Sequence, residues 1–149
     1  MQWTGEISQM VYDYPISSLD ILPTIAELTN ATIEENNPLD GVNIIPFLKG
    51  SKKGRPHTTL YVRKFDDDLY SVRDGDMKLV TKKKNTVKEL YKLDKDIGEV
   101  NNLADFFPKE VQRLDSILQT WDTQVIDPVF LGLIHTAVSY THLRAHETE

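Results

Sequence analysis

The chain has 149 residues, enough to bury a core in one domain, with 40% apolar and 27% charged side chains, the balance of a globular protein rather than a disordered or fibrous one. Its net charge of −6 argues against a nucleic-acid partner, which needs a basic face to displace counterions; Lys82-Lys83-Lys84 is the one basic cluster and reads as a solvated hairpin loop. The absence of cysteine excludes a disulfide framework, a thiolate zinc site and a cysteine nucleophile.

No stretch approaches the apolar length of a membrane span, so no membrane partner is expected. Residues 1 to 15 lack the basic-then-apolar layout of a signal peptide, which leaves Met1 as a cytoplasmic start or as a position inside a longer chain. The sequon Asn30-Ala31-Thr32 matters only on a eukaryotic secretory route.

In chain order, "ISSLDILPTIAELT" (16 to 29) predicts a turn feeding a short helix. Asp20 is placed to cap it by accepting from first-turn amides, and Pro23 falls where its missing N–H costs nothing. "NIIPFLKG" (43 to 50) repeats the pattern with Asn43 as cap, Pro46 in the first turn and Gly50 at the stop, after an Asp40-Gly41 turn. Helices this short need support from something larger. If that support lies elsewhere, Ile21, Ile25, Leu28, Ile44, Phe47 and Leu48 are left partly uncovered.

From residue 57 the period changes. The segments 58 to 64, 69 to 73, 77 to 81 and 86 to 93 are short and rich in β-branched and aromatic residues. Asp74-Gly75 signals a tight hairpin, and residues 82 to 85 a looser turn. The reading is an antiparallel sheet of three or four strands. Pro108 then opens a helix whose apolar stripe runs Val111, Leu114, Leu118, Trp121, Val125 and ends at Asp127-Pro128. It should close one face of the sheet, with Trp121 in the core rather than serving as a ligand platform. The fold class expected is α+β.

Beyond about residue 133 the periodicity fails. His142 and His146 stand four apart, but two imidazoles without a third ligand seldom make a metal site. The segment 137 to 149 resembles translated adapter sequence at the ends of frames assembled from environmental DNA, and is expected to be a non-native tail.

"ELYKLDKDIGEVNNLA" (89 to 104) raises the question of calcium. An EF-hand loop counted from Asp94 puts Gly98 at position 5 and Asp105 at position 12, where Gly belongs at 6 and Glu at 12. The loop fails that test and reads instead as strand, turn and a helical turn capped by Asn101 or Asn102.

At this point the residues resemble a family. "VRDGDMKLV" followed by "ELYKLDKDIGEVNNLA" is similar to the C-terminal signature of the type I sulfatases, the arylsulfatase family of the alkaline phosphatase superfamily. The pattern R-x-G-D-x-K-L then E-L-Y-D-L-x-x-D-P-x-E-x-x-N-L-A is met at Arg73, Gly75, Asp76, Lys78, Leu79, Glu89, Leu90, Tyr91, Leu93, Asp96, Glu99, Asn102, Leu103 and Ala104. It departs at Lys92 and Ile97. Upstream, "SSLDILPTIAEL", "LDGVNIIPFLKG" and "MQWTGEI" resemble further elements of the family, so the likeness runs from about Met1 to about Leu133.

The resemblance implies a parent that hydrolyses sulfate esters with a formylglycine and a calcium ion, in the periplasm or outside the cell. This chain shows no C/S-x-P/A-x-R motif; Ser51 to Arg55 reads "SKKGR". It is therefore expected to be an inactive C-terminal fragment, with no catalytic or metal residue of its own. Residues 1 to 56 would be the terminal piece of the catalytic α/β domain and 57 to 136 the C-terminal subdomain. Its partners would be the missing N-terminal catalytic domain and, for the parent, a sulfated small molecule or glycan. His57, Arg63, Lys64 and Arg73 are the cations that could reach a substrate rim. The structural alternative is that Arg73 and Lys78 pair with Asp74, Asp76 or Glu89, while His57 and Lys64 are merely solvated. Two other readings stand beside this one: a free-standing module for calcium or an anionic glycan, and a piece of a related phosphatase or phosphodiesterase.

Overall fold

A computed structural model describes residues 2–34, 36, 38–82 and 86–129, so the adapter-like tail, His142, His146, Lys83 and Lys84 lie outside the described residues. The described chain divides after Thr58 into two compact units.

In the first unit Trp3 and Ile7 bridge a tight turn over residues 4 to 6, with Gly5 at φ +83°. A 3-10 turn over Ser18–Asp20 leads directly into α1 (Ile21–Thr29). Asp20 occupies the cap position of α1, but its carboxylate makes no bond to that helix's first turn. The preceding 3-10 turn supplies the acceptor instead, since the Ile21 N–H donates to the Ser18 carbonyl. The carboxylate is thereby released for other donors.

The second short helix, α2 (Ile45–Leu48), follows the expected pattern except that Ile44, not Asn43, holds the cap position. Asn43 Oδ1 accepts from the Ile45 N–H at 2.9 Å, Pro46 lies in the first turn, and Gly50 stops the helix at φ +74°. Ile44 N–H donates to Thr24 Oγ1 at 3.1 Å, tying this segment to α1. At Gly41 no side chain fits, because a Cβ would lie 2.0 Å from the Leu19 carbonyl oxygen.

The six apolar residues expected to be uncovered therefore separate. Ile21, Ile25 and Leu28 on α1 are exposed, joined by Leu19 and Leu22, whereas Leu48 is buried and Ile44 and Phe47 are half-buried.

In the second unit, β1 (Thr59–Lys64), β2 (Leu69–Asp74), β3 (Met77–Lys82) and β4 (Val87–Lys92) form one antiparallel sheet in chain order. Each strand lies within a residue or so of its predicted segment, because alternation and turn chemistry agree there. The β2–β3 turn is Gly75-Asp76 rather than Asp74-Gly75: Asp74 pairs with Met77, and Gly75 alone takes positive φ, at +62°. A two-residue loop with glycine first is the arrangement whose twist suits a hairpin.

The helix α3 runs Pro108–Asp122, shorter than its stripe implied, and Val125 lies beyond it. At its end the Thr120 and Thr123 hydroxyls donate to the carbonyls of Ser116 and Thr120, competing with the helical ladder. One face of the sheet packs on α3 as predicted. Val72, Leu79, Leu90, Leu114 and Leu118 form a closed core, flanked by Tyr61, Tyr70, Val111 and Ile117. Trp121 joins that core and stacks on Tyr61, ring centres 4.8 Å apart.

Candidate functional site

Among the described residues of the second unit, no helix packs on the opposite face of the sheet. Period-two alternation places Leu60, Arg73, Lys78 and Tyr91 in one row across the four strands, and Val62, Ser71, Val80 and Glu89 in the next. Leu93 and the loop that follows raise one wall, so these rows, with Leu69, Lys82, Ile97 and Glu99, line a concavity of about 620 Å³. Its floor is firm, since Val80, Tyr91 and Leu93 are all buried.

The wall is built by hydrogen bonds within the acidic segment. Asp96 accepts from the Val100 and Asn101 amides at 3.1 and 2.8 Å. The Asn101 and Val100 bonds hold the Asp96 carboxyl below its ordinary range. Asn102 Oδ1 accepts from the Leu90 and Ala104 amides, both at 3.0 Å, which pins the loop to β4. This is the strand, turn and asparagine cap that the sequence led us to expect. Glu99 is forced to φ +56° in that turn, and its carboxylate meets Lys78 Nζ at 2.6 Å.

The remaining groove charges are arranged as follows. Lys82 meets Glu89 at 2.7 Å, and that bond raises the Lys82 pKa against the effect of desolvation. Burial first, then the nearby Glu89 carboxylate, pushes the Tyr91 phenol up. Arg73 Nε donates to the Gly75 carbonyl at 3.0 Å. The sequence suggested Asp74, Asp76 or Glu89 as partners of Arg73 and Lys78; Asp74 and Glu89 are bonded to other cations. The loop carbonyl and Glu99 are nearer partners, and Asp74 is taken by Arg113 at 2.6 Å.

The three candidate rim cations of the second unit are not brought to one place. Lys64 pairs with Asp67 beside it. Arg63 lies on the α3 side, where its Nη atoms donate to the Ile126 carbonyl at 3.1 Å and to Asp127 at 2.6 Å, with the guanidinium 4.8 Å from the Phe65 ring centre. It fastens the chain leaving α3 to the sheet edge. Arg73 stands in the groove.

His57, in the first unit, is no solvated side chain. Its Nε2 lies 2.7 and 2.9 Å from the two oxygens of Asp20, whose residue is only 1% exposed. Asp20 also accepts from the Ser17 and Val42 amides at 2.8 and 2.9 Å. Burial alone would raise the Asp20 pKa; the two amides and the imidazole outweigh it and hold the carboxyl below its ordinary value. Thirty-seven residues separate the two partners, and no spacing rule could have joined them.

Among the described residues no cluster of three or more His, Asp or Glu could hold a metal ion. Ser51, at the head of the one segment with partial likeness to the formylglycine motif, spends its hydroxyl on the Pro46 carbonyl at 3.0 Å.

No family model matches the chain. It is 33% identical over 85 residues to the uncharacterized sulfatase YdeN of Escherichia coli (strain K12) and 38% identical over 79 residues to arylsulfatase A of Bos taurus, alignments covering 54% and 51% of this chain. It is 32% identical over 93 residues to choline-sulfatase of Rhizobium meliloti (strain 1021). The chain spans only 15% of the length of the first two relatives and 18% of the third. Among solved structures, Ps i-CgsB matches 91% of this chain with a TM-score of 0.70 at 23% identity, over 30% of its own length. BT1596, a 2-O GAG sulfatase, matches 70% of this chain with a TM-score of 0.57 at 24% identity, over 24% of its length. In sequence over about half its length, and in fold over most of it, the chain is similar to the C-terminal region of sulfatases.

Proposed function

We propose that this chain is the C-terminal portion of an enzyme that hydrolyses sulfate esters through a formylglycine and a calcium ion, both held by residues outside it. The observation carrying this reading is the run from Arg73 to Ala104: the sequence resemblance and the groove-wall hydrogen bonds of Asp96 and Asn102 fall on the same residues. The chain by itself is inactive on this reading, because the groups that carry out the reaction belong to the rest of the protein. Its partner is the rest of the same protein, which covers the exposed α1 face, and the parent's substrate is a sulfated small molecule or glycan. Of the four candidate rim cations, Arg73 lines the groove, and rim contacts centre on it.

The chain, supplied with calcium, should leave an aryl sulfate unhydrolysed at the rate of buffer alone. Turnover above that background would overturn the inactive-fragment reading.

A further inference from the structure

The register sets Arg73 directly across from Lys78, two like charges on one face of an antiparallel pair, an arrangement that destabilises a sheet unless an anion lies between them. The protein supplies only part of that anion. Glu99 reaches Lys78 from a left-handed backbone conformation that a residue with a side chain seldom adopts. Arg73 spends Nε on the Gly75 carbonyl, a neutral acceptor that leaves the guanidinium charge uncompensated by that bond. Around the groove, Arg73, Lys78 and Lys82 face Glu89 and Glu99, three cations against two carboxylates, in a chain whose net charge is −6. Leu60, Val62, Val80 and Leu93 line the rest.

We propose that Arg73 and Lys78 form a binding site for a tetrahedral oxyanion, the sulfate group of an ester whose ring lies on the apolar wall, with Glu99 as a built-in competitor. A carboxylate such as Glu99 satisfies Lys78 alone. An oxyanion with three free oxygens can accept from the forked guanidinium and the ammonium together, which the register places side by side. On binding, Glu99 gives up Lys78 and swings to solvent. The choice of sulfate over phosphate rests on the proposed sulfatase origin; the site itself rests on the charges and the groove.

The test is equilibrium dialysis of the full chain against inorganic sulfate, phenyl sulfate and inorganic phosphate at matched ionic strength, with circular dichroism to verify the fold of each variant. Phenyl sulfate should be retained more tightly than inorganic sulfate, Arg73→Ala should weaken retention roughly tenfold or more, and Glu99→Gln should strengthen it. The gain in Glu99→Gln cannot come from unfolding. Equal retention of the two sulfates would overturn the ester and leave the free anion as ligand. Preference for phosphate would overturn the choice of sulfate without touching the inactivity of the fragment. Retention that ignores both substitutions, or no retention at all, would overturn the site.

Discussion

Asp20 must stay ionised in a nearly closed pocket, and three donors make that possible. The Ser17 amide, the Val42 amide and the His57 ring join the start of α1 to two later segments through one carboxylate. Replacing it with alanine orphans two backbone amides and the imidazole, and should cost about 3 kcal/mol in urea unfolding at neutral pH. The pH dependence has a definite sign. A carboxyl whose pKa is lower folded than unfolded contributes stability that is complete above its unfolded value, near 3.8, and is lost as pH falls through the folded value. The stability gap between the wild type and Asp20→Asn should therefore shrink as pH is taken below about 4. A gap unchanged from pH 7 to pH 3 would show that the charge of Asp20 contributes nothing.

At the scale of elements, α3 decides whether the second unit holds together. Leu114 is fully buried against Val72, Leu79 and Leu90, so Leu114→Ala should cost about 2–5 kcal/mol through lost burial and the cavity left behind. A chemical denaturation midpoint unchanged by that substitution would mean that the helix is not what closes the sheet.

These elements were legible in the sequence for a physical reason. Each strand of the sheet alternates with period two between glycine, aspartate and asparagine turns, and the α3 stripe repeats at three and four, so local preference and tertiary need coincide. Predictions that went astray depended on partners remote in sequence. Nothing in "LDILP" says that Asp20 will prefer Val42 and His57 to its own helix, and nothing in "DMKLV" says that Lys78 will reach Glu99, 21 residues on. The groove was hidden likewise, because the hydrogen bonds of the 94-to-102 loop had to exist before the outer face of the sheet became concave.

On the scale of the whole molecule, the conspicuous feature is the apolar surface left on α1 and the 3-10 turn before it: Leu19, Ile21, Leu22 and Ile25 are each more than half exposed. A helix of nine residues does not hold so much apolar surface in water to its own advantage. On the function proposed above, the rest of a longer protein covers that face; this chain spans about 15% of the length of YdeN and of arylsulfatase A. The groove over β1 to β4 belongs to the other unit and makes a separate claim, on an anion rather than on a protein.

The central claim is that these residues are the end portion of a sulfatase, and the source DNA on either side of the frame tests it most directly. The account predicts an upstream frame that runs unbroken into Met1 and encodes C/S-x-P/A-x-R, and a different continuation from about residue 137. An in-frame stop followed by a ribosome-binding site just before Met1 would contradict it, and would leave the chain as a free-standing module.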